Sequence, residues 1–304
     1  MTGLILPRPL QRRLERLANG FMQPEGGPVV DFSQPAGEPA LLPPDALSWV
    51  VFKNPLALAI GGVAAVILEL AEPRVRTGVW EHTSFRTAPL PRLQRTGLAA
   101  MMTVYGPRAQ TEAMIARVNR LHARVAGETP AGQPYGASDP ALLDWVQATA
   151  AFGFSEAYSV YARPLSPHER DALYAEGAVA ARLYGAHGAP TSVQQMDALF
   201  DRMRPLLEPS PIVFEFLQIM RRAPILPWGL RSTQGLLVKA AVDIVPPWAR
   251  DQLQIGTEWR LSAWERAAIK LAARGADRLI LRDSPAVQSC LRLGLSRGHL
   301  YRHR

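Results

Sequence analysis

Apolar residues along most of this chain recur at intervals of three and four, which is the spacing of one face of an α-helix. The clearest example lies within residues 108–125, and Gly127 follows it as a candidate C-cap. Runs that alternate between apolar and polar residues, typical of half-buried strands, are nearly absent. The pattern therefore predicts an all-α fold. The stripe in residues 108–125 consists of Met114, Ile115, Val118, Leu121, His122 and Val125.

Helix starts are marked by Asp139 before Pro140, Ser166 before Pro167, and Ser192, because these side chains cap helices and proline suits the first turn. Residues 24–46 are rich in proline and glycine and predict an extended arm or loop outside the core. No fixed-period repeat or sharp change of composition divides the chain. We predict an N-terminal arm over 1–47 and one helical domain over 48–304. Its further helices are predicted at 63–70, 93–105, 140–161, 167–184, 193–207, 214–222, 236–242, 258–273 and 284–294, with Pro73 ending or kinking the first.

Two apolar stretches are candidates for crossing or contacting a membrane. The uncharged run 55–68 is shorter than the roughly 20 residues that cross a bilayer, and Gly61 and Gly62 interrupt it. It predicts a buried core helix preceded by a glycine turn. The N-terminus is not expected to be a normal signal peptide, since most of its basic residues follow its apolar patch and no cleavage site is evident. It could instead lie on a membrane surface through an apolar stripe beside Arg12, Arg13 and Arg16. That stripe consists of Leu4, Ile5, Leu10, Leu14 and Leu17.

Composition excludes some classes of function. The hydrophobic fraction of 48% and the charged fraction of 20% are typical of globular proteins. The net charge of +8 does not favour nucleic acid, because the basic residues are nearly all arginine, as a GC-rich gene would give, and no nucleic-acid-binding motif is present. Cys290 is the single cysteine, which excludes an internal disulfide and a paired-cysteine metal site and is consistent with a reducing cytoplasm.

His122 is the strongest candidate for a functional residue in this sequence. It shares the apolar face of its helix with Val118, Leu121 and Val125, so its ring is expected to point inward. It is either a core histidine with satisfied hydrogen bonds or an axial ligand to haem iron, which needs apolar walls and one basic nitrogen. Zinc is disfavoured, because the remaining histidines do not cluster. Those are His82, His168, His187, His299 and His303.

Charged residues near the start of the preceding helix form a second candidate group. Arg92, Arg95 and Thr96 fall on one helical face. They are either a solvated helix start or an anion-favouring corner suited to haem propionates or to an oxygen ligand. Glu81, in the sequence WEHTSF, is either a surface residue paired with an arginine or a buried base whose pKa is raised by an apolar wall.

Several stretches in one order resemble the DUF2236 family, which includes the rubber oxygenases (latex clearing proteins) and the MpaB-type oxygenases. The resemblance covers about Phe52 to Tyr161. It rests on GGVAAVILELAEPRV, TGVWEHTSFR, PLPRLQRT, VYGPRAQTEAMIARVNRLHARVAG and SDPALLDWVQAT.

This resemblance implies an all-helical, globin-like core that binds haem b. It implies His122 as the proximal iron ligand, Arg92 and Thr96 as residues of the haem pocket, and Glu81 as a distal base. Arg95 stands near the place of a lysine that can occupy the distal side in rubber oxygenases, although arginine stays protonated and cannot bind iron.

Two departures from the family pattern leave an alternative open. Many members have histidines where this chain has Glu72 and Gln147. The first expectation is a haem b-dependent oxygenase of a hydrophobic, isoprenoid or lipid-like substrate, with Glu81, Arg92 and Thr96 in catalysis and no nucleic acid partner. The alternative is a non-catalytic helical protein that has lost haem and binds a lipid or a protein.

Overall fold

The computed structural model describes residues 30–224 and 231–302, together with Gly3, Leu4, Pro7, Gln11 and Glu15; of Ser232 only the backbone is described. Apart from Leu4, the predicted N-terminal stripe and its arginines lie outside the described residues, as do His303 and Arg304. The described chain is helical except for one two-stranded antiparallel hairpin, so the all-α prediction is confirmed.

The first half of the chain forms short and medium helices joined by tight turns. Asn54 caps the second of them by accepting hydrogen bonds from the amides of Leu56 and Ala57, at 3.2 and 3.1 Å. The helices are α1 (Leu47–Phe52), α2 (Pro55–Glu69), α3 (Pro73–His82), α4 (Pro89–Tyr105) and α5 (Arg108–His122), followed by strands β1 (Ala126–Glu128) and β2 (Pro134–Gly136).

The second half of the chain begins at Asp139, which is the predicted N-cap of the next helix. Asp139 accepts hydrogen bonds from the first amides of the next helix, and Ser166 closes a reciprocal capping box with Glu169. The helices are α6 (Pro140–Ala157), α7 (Pro167–Leu183), α8 (Val193–Met203), α9 (Pro211–Arg222), α10 (Arg231–Ile244), α11 (Pro247–Gln252), α12 (Ala263–Ala276) and α13 (Pro285–Arg292), with a π-helical turn at Tyr158–Ala162 and 3-10 turns at Arg204–Leu206, Thr257–Trp259 and His299–Tyr301.

Helices α2 and α6 form the centre of the fold. They run antiparallel and touch backbone to backbone, because Gly61 faces Gly153 with no side chain between them. The expectation of a glycine turn before the buried helix is therefore wrong: Gly61 and Gly62 lie inside α2, where the missing side chains permit the close approach. The prediction that this run is a buried core helix is confirmed by Ile60, Ala64 and Leu68, which are almost fully buried.

The arm over residues 30–46 packs into the protein, contrary to the expectation of a loop outside the core. Phe32 is buried in a second apolar cluster with Trp49 and Tyr105. Arg292 holds the arm in place, because its guanidinium donates hydrogen bonds to the carbonyl oxygens of Phe32 and Glu38, at 2.7 and 2.8 Å. A buried charge of this kind is stable only when several acceptors surround it.

Within the described residues, no single helix is both long and apolar enough to cross a bilayer. Helices α2 and α3 together have the length and composition of a membrane span, but they meet at a bend of 112°.

Candidate functional site

A cavity of about 590 Å³ lies beside the α2–α6 pair. Its walls come mainly from α2, α3, α4, α6 and α7, and most of the lining side chains are apolar. On α4 the lining runs from Arg92 to Val104, a length of about 18 Å at 1.5 Å per helical residue. The volume falls within the range of small-molecule sites, which is roughly 300–1,000 Å³.

Three titratable or charged groups that line the cavity lie together, and we call this part of the lining its polar end. Glu69 is the last residue of α2, Arg92 lies in the first turn of α4, and His122 is the last residue of α5. All three line the cavity, and the charge of Arg92 acts on both of the others. Other polar groups, among them Ser48 and Glu176, line the cavity elsewhere, and most of the remaining lining is apolar.

Glu69 is the carboxyl with the most unusual environment in the cavity. Its oxygen accepts a long hydrogen bond of 3.5 Å from the hydroxyl of Thr149. Burial raises the pKa of Glu69 to about 7, although the charge of Arg92 and the bond from Thr149 both oppose that rise. Glu176, which also lines the cavity, differs because its carboxylate accepts backbone hydrogen bonds at the start of α1.

The raised pKa of Glu69 predicts a pH-dependent effect of Glu69→Gln on stability. Below about pH 4.5 the carboxyl is protonated in the folded and unfolded chains alike, whereas above pH 7 the folded chain bears an unfavourable buried charge. The folded state therefore becomes less stable relative to the unfolded state as the pH rises from about 4.5 through 7, because its buried carboxyl resists losing the proton. We expect Glu69→Gln to raise the free energy of unfolding by about 2 kcal/mol at pH 8 and by nearly nothing at pH 4.5.

Urea denaturation of both proteins across this pH range measures the difference. Glu81→Gln is the matched control, because its carboxyl is exposed and lies outside the cavity lining. Its replacement should change the free energy of unfolding by no more than about 0.5 kcal/mol. A loss of stability in Glu69→Gln that is the same at pH 5 and pH 8 would contradict the prediction.

His122 has a free ring nitrogen inside the protein. Its Nδ1 is buried and has no hydrogen-bond partner among the described residues. Burial lowers the pKa of His122, and the positive charge of Arg92 lowers it further, so the imidazole is neutral at pH 7. A neutral imidazole with an unpartnered nitrogen is able to bind a metal ion. The alternative of a core histidine with satisfied hydrogen bonds is therefore disfavoured.

The apolar stripe predicted around His122 is only partly correct. Helix α5 ends at His122, so Val125 lies beyond it, and Leu121 is 52% exposed. Leu121 nevertheless lines the cavity, as do the exposed residues His82 and Thr96. These three residues mark the place where the polar end of the cavity meets solvent.

The arginine and threonine group divides between the cavity and the surface. Arg92 donates a hydrogen bond to the hydroxyl of Thr96, which in turn donates to the Arg92 carbonyl at 2.9 Å, and both residues line the cavity. Arg95 is exposed and donates to the hydroxyl of Ser84 at 3.1 Å, away from the cavity lining. One helical turn separates Arg92 and Thr96, whereas Arg95 is rotated by about 100° from Thr96.

Glu81 lies at the surface and does not line the cavity. Its carboxylate accepts a hydrogen bond of 3.2 Å from the hydroxyl of Tyr135, which also lies 3.1 Å from Nε2 of His82. This position lacks the apolar wall that a buried base requires. Sequence reasoning overlooked Glu69, although a carboxylate at the end of a 14-residue uncharged run is a visible signal.

The two positions that lack the expected histidines have different surroundings. Glu72 caps α3 by accepting a hydrogen bond of 2.8 Å from the Val75 amide, and it pairs with Arg74 at 2.7 Å. Gln147 lines the cavity. Glu72 therefore has a structural role, and only Gln147 changes the chemistry of the cavity wall. Thr149, two residues after Gln147, contacts Glu69.

The chain matches a known protein family over most of its length. Residues 49–276 match the model of a protein family described as "ER-bound oxygenase mpaB/B'/Rubber oxygenase, catalytic domain". The match covers well over half of the 304 residues and includes every helix from α2 to α12. No curated protein and no solved structure matches the chain.

Proposed function

Because the chain belongs to the family of MpaB and rubber oxygenase catalytic domains, we propose that it is a haem b-dependent oxygenase acting on a hydrophobic, isoprenoid or lipid-like substrate. The family match is the support for an oxygenase-type catalytic domain. The observation that carries the haem proposal is the buried, unpartnered Nδ1 of His122 beside a largely apolar cavity of about 590 Å³.

The residues at the polar end of the cavity fit such a group. His122 is neutral and would provide the axial nitrogen, while Arg92 and Thr96 would hold an anionic edge through charge-assisted hydrogen bonds. When bound, haem supplies the iron at which oxygen is activated. The protein contributes a dry apolar wall, an axial ligand and charged side chains at the cavity mouth.

In this proposal Glu69 takes the acid–base role that the sequence suggested for Glu81. Glu69 lines the cavity, and a pKa of about 7 allows its carboxylate to hold or release a proton at neutral pH. Glu81, by contrast, is exposed and bonded to Tyr135 outside the lining. The long apolar stretch of wall beyond Glu69 suits a hydrocarbon chain, which supports the substrate class.

An absorption spectrum tests the cofactor. We expect protein expressed with 5-aminolevulinate to show a Soret band and about one haem per chain by the pyridine haemochrome assay. Oxygen uptake with a polyisoprene emulsion and with an unsaturated fatty acid then compares the two substrate classes. Colourless protein that also fails to bind added haemin would overturn the proposal and favour the alternative without haem, in which the cavity holds a lipid.

A further inference from the structure

Helix α12 has an apolar surface on the side that faces away from the core. Trp264 is 69% exposed and Leu271 is 75% exposed, and they are the most exposed large apolar side chains of the described residues. They lie seven residues apart, so they share one face of the helix, with the exposed Ala267 and Ala268 between them.

The opposite face of α12 is already used for packing. Glu265, Ile269 and Ala273 are buried against the protein. The outward stripe of Trp264 and Leu271 is therefore not needed for the core, and exposing it to water costs free energy. Exposed apolar surface of this kind marks a contact site when it is continuous and rimmed by polar groups.

Three cationic side chains flank the outward stripe. Lys270, Arg274 and Arg278 lie next to it and have no ion pair among the described residues. The one acid of α12, Glu265, faces inward, where it pairs with Lys239 at 3.0 Å and closes the capping box with Ser262.

Leu4 adds an exposed apolar side chain near the C-terminal end of α12. The amide of Leu4 donates to the carbonyl of Arg278 at 2.7 Å, and Leu4 accepts from the amide of Ile280 at 3.1 Å. The Leu4 side chain, 56% exposed, therefore lies just beyond the C-terminal end of α12. The apolar side chains of this surface come from two separate segments of the chain.

We propose that the outward face of α12 docks on an anionic phospholipid surface. Trp264 and Leu271 would enter the interface between headgroups and acyl chains, where tryptophan is favoured. Lys270, Arg274 and Arg278 would contact the phosphate and carboxylate groups of the lipid. Ala267 and Ala268, between Trp264 and Leu271, have small side chains, so this part of the face is smooth. A smooth face suits a fluid lipid surface better than a shaped protein pocket. This composition is that of interfacial amphipathic helices.

Vesicle sedimentation with the full chain tests the proposal. The probes are vesicles of phosphatidylcholine and phosphatidylserine at 7:3 and vesicles of pure phosphatidylcholine. We expect binding to the anionic vesicles, weakened by added salt, and at least a tenfold weaker partition for Trp264→Ser/Leu271→Ser and for Lys270→Gln/Arg274→Gln/Arg278→Gln. Trp264, Leu271, Arg274 and Arg278 are exposed, and Lys270 is half-buried without an ion pair among the described residues, so thermal unfolding should remain close to that of the wild type.

Matched controls use exposed residues on other helices. Leu183→Ser/Leu206→Ser removes two exposed leucines, and Arg117→Gln/Arg182→Gln/Arg202→Gln removes three exposed cations. Both should bind as the wild type does, within about twofold.

Two results would overturn the proposal. One is a wild type that binds both kinds of vesicle equally or neither of them. The other is a Trp264→Ser/Leu271→Ser variant that binds as the wild type does, since the contact would then run through another segment, such as the N-terminal stripe. Loss of binding in the charge variant alone counts against it as well, because that would show adsorption without insertion of α12.

Discussion

We expect His122→Ala to yield protein without a Soret band, even when haem is supplied during expression. The substitution removes a neutral imidazole whose Nδ1 has no partner in the described protein, and the one other histidine in the cavity lining, His82, is exposed. Because that nitrogen makes no hydrogen bond, its removal should leave the fold intact. The haem content of the purified variant and its far-UV circular dichroism measure the two effects separately.

His82→Ala is the matched control. His82 also lines the cavity, but it lies at the exposed mouth and its Nε2 is 3.1 Å from the Tyr135 hydroxyl. We expect that variant to keep its haem. His122→Gly supplemented with imidazole should recover the band, since the free base can occupy the space of the lost ring. A folded His122→Ala protein with full haem content would contradict the assignment of His122 as the axial ligand.

Gly61→Ala should cost about 3 kcal/mol or more of the free energy of unfolding. A Cβ at this position would lie 2.7 Å from the carbonyl oxygen of Gly153 and 2.9 Å from the Cα of Phe154. These atoms belong to the backbone of α6 and cannot rotate away, so the two central helices must separate. The walls of the cavity would move with them, and haem binding should weaken in the same variant.

Gly177→Ala is the control for this substitution. It lies within α7, and a Cβ there meets nothing within 4 Å. Alanine favours helix over glycine, so this variant should gain up to about 1 kcal/mol. Urea denaturation of both variants at pH 7 gives the comparison. If Gly61→Ala were as stable as the wild type, the contact between α2 and α6 would be looser than the structure indicates.

The sequence named several residues of the cavity lining and missed others. Arg92, Thr96 and His122 were named from the sequence, and all three line one cavity. Glu81 was named as well and lies outside that lining, since its helix turns its carboxylate toward Tyr135 and solvent. Glu69 was overlooked, because its role depends on Thr149 and Arg92, which are distant in sequence.

The sequence by itself determined the local features of this protein. It specified the helical class, the starts of α6, α7 and α8, and the burial of α2, because caps and apolar spacing act over a few residues. Only the tertiary structure decided that Gly61 would meet Gly153, that Arg292 would hold residues 30–46 in a core, and that Glu69 would face a cavity. Those outcomes depend on how helices far apart in sequence pack, and the periodicity of one helix carries no information about the surface opposite it.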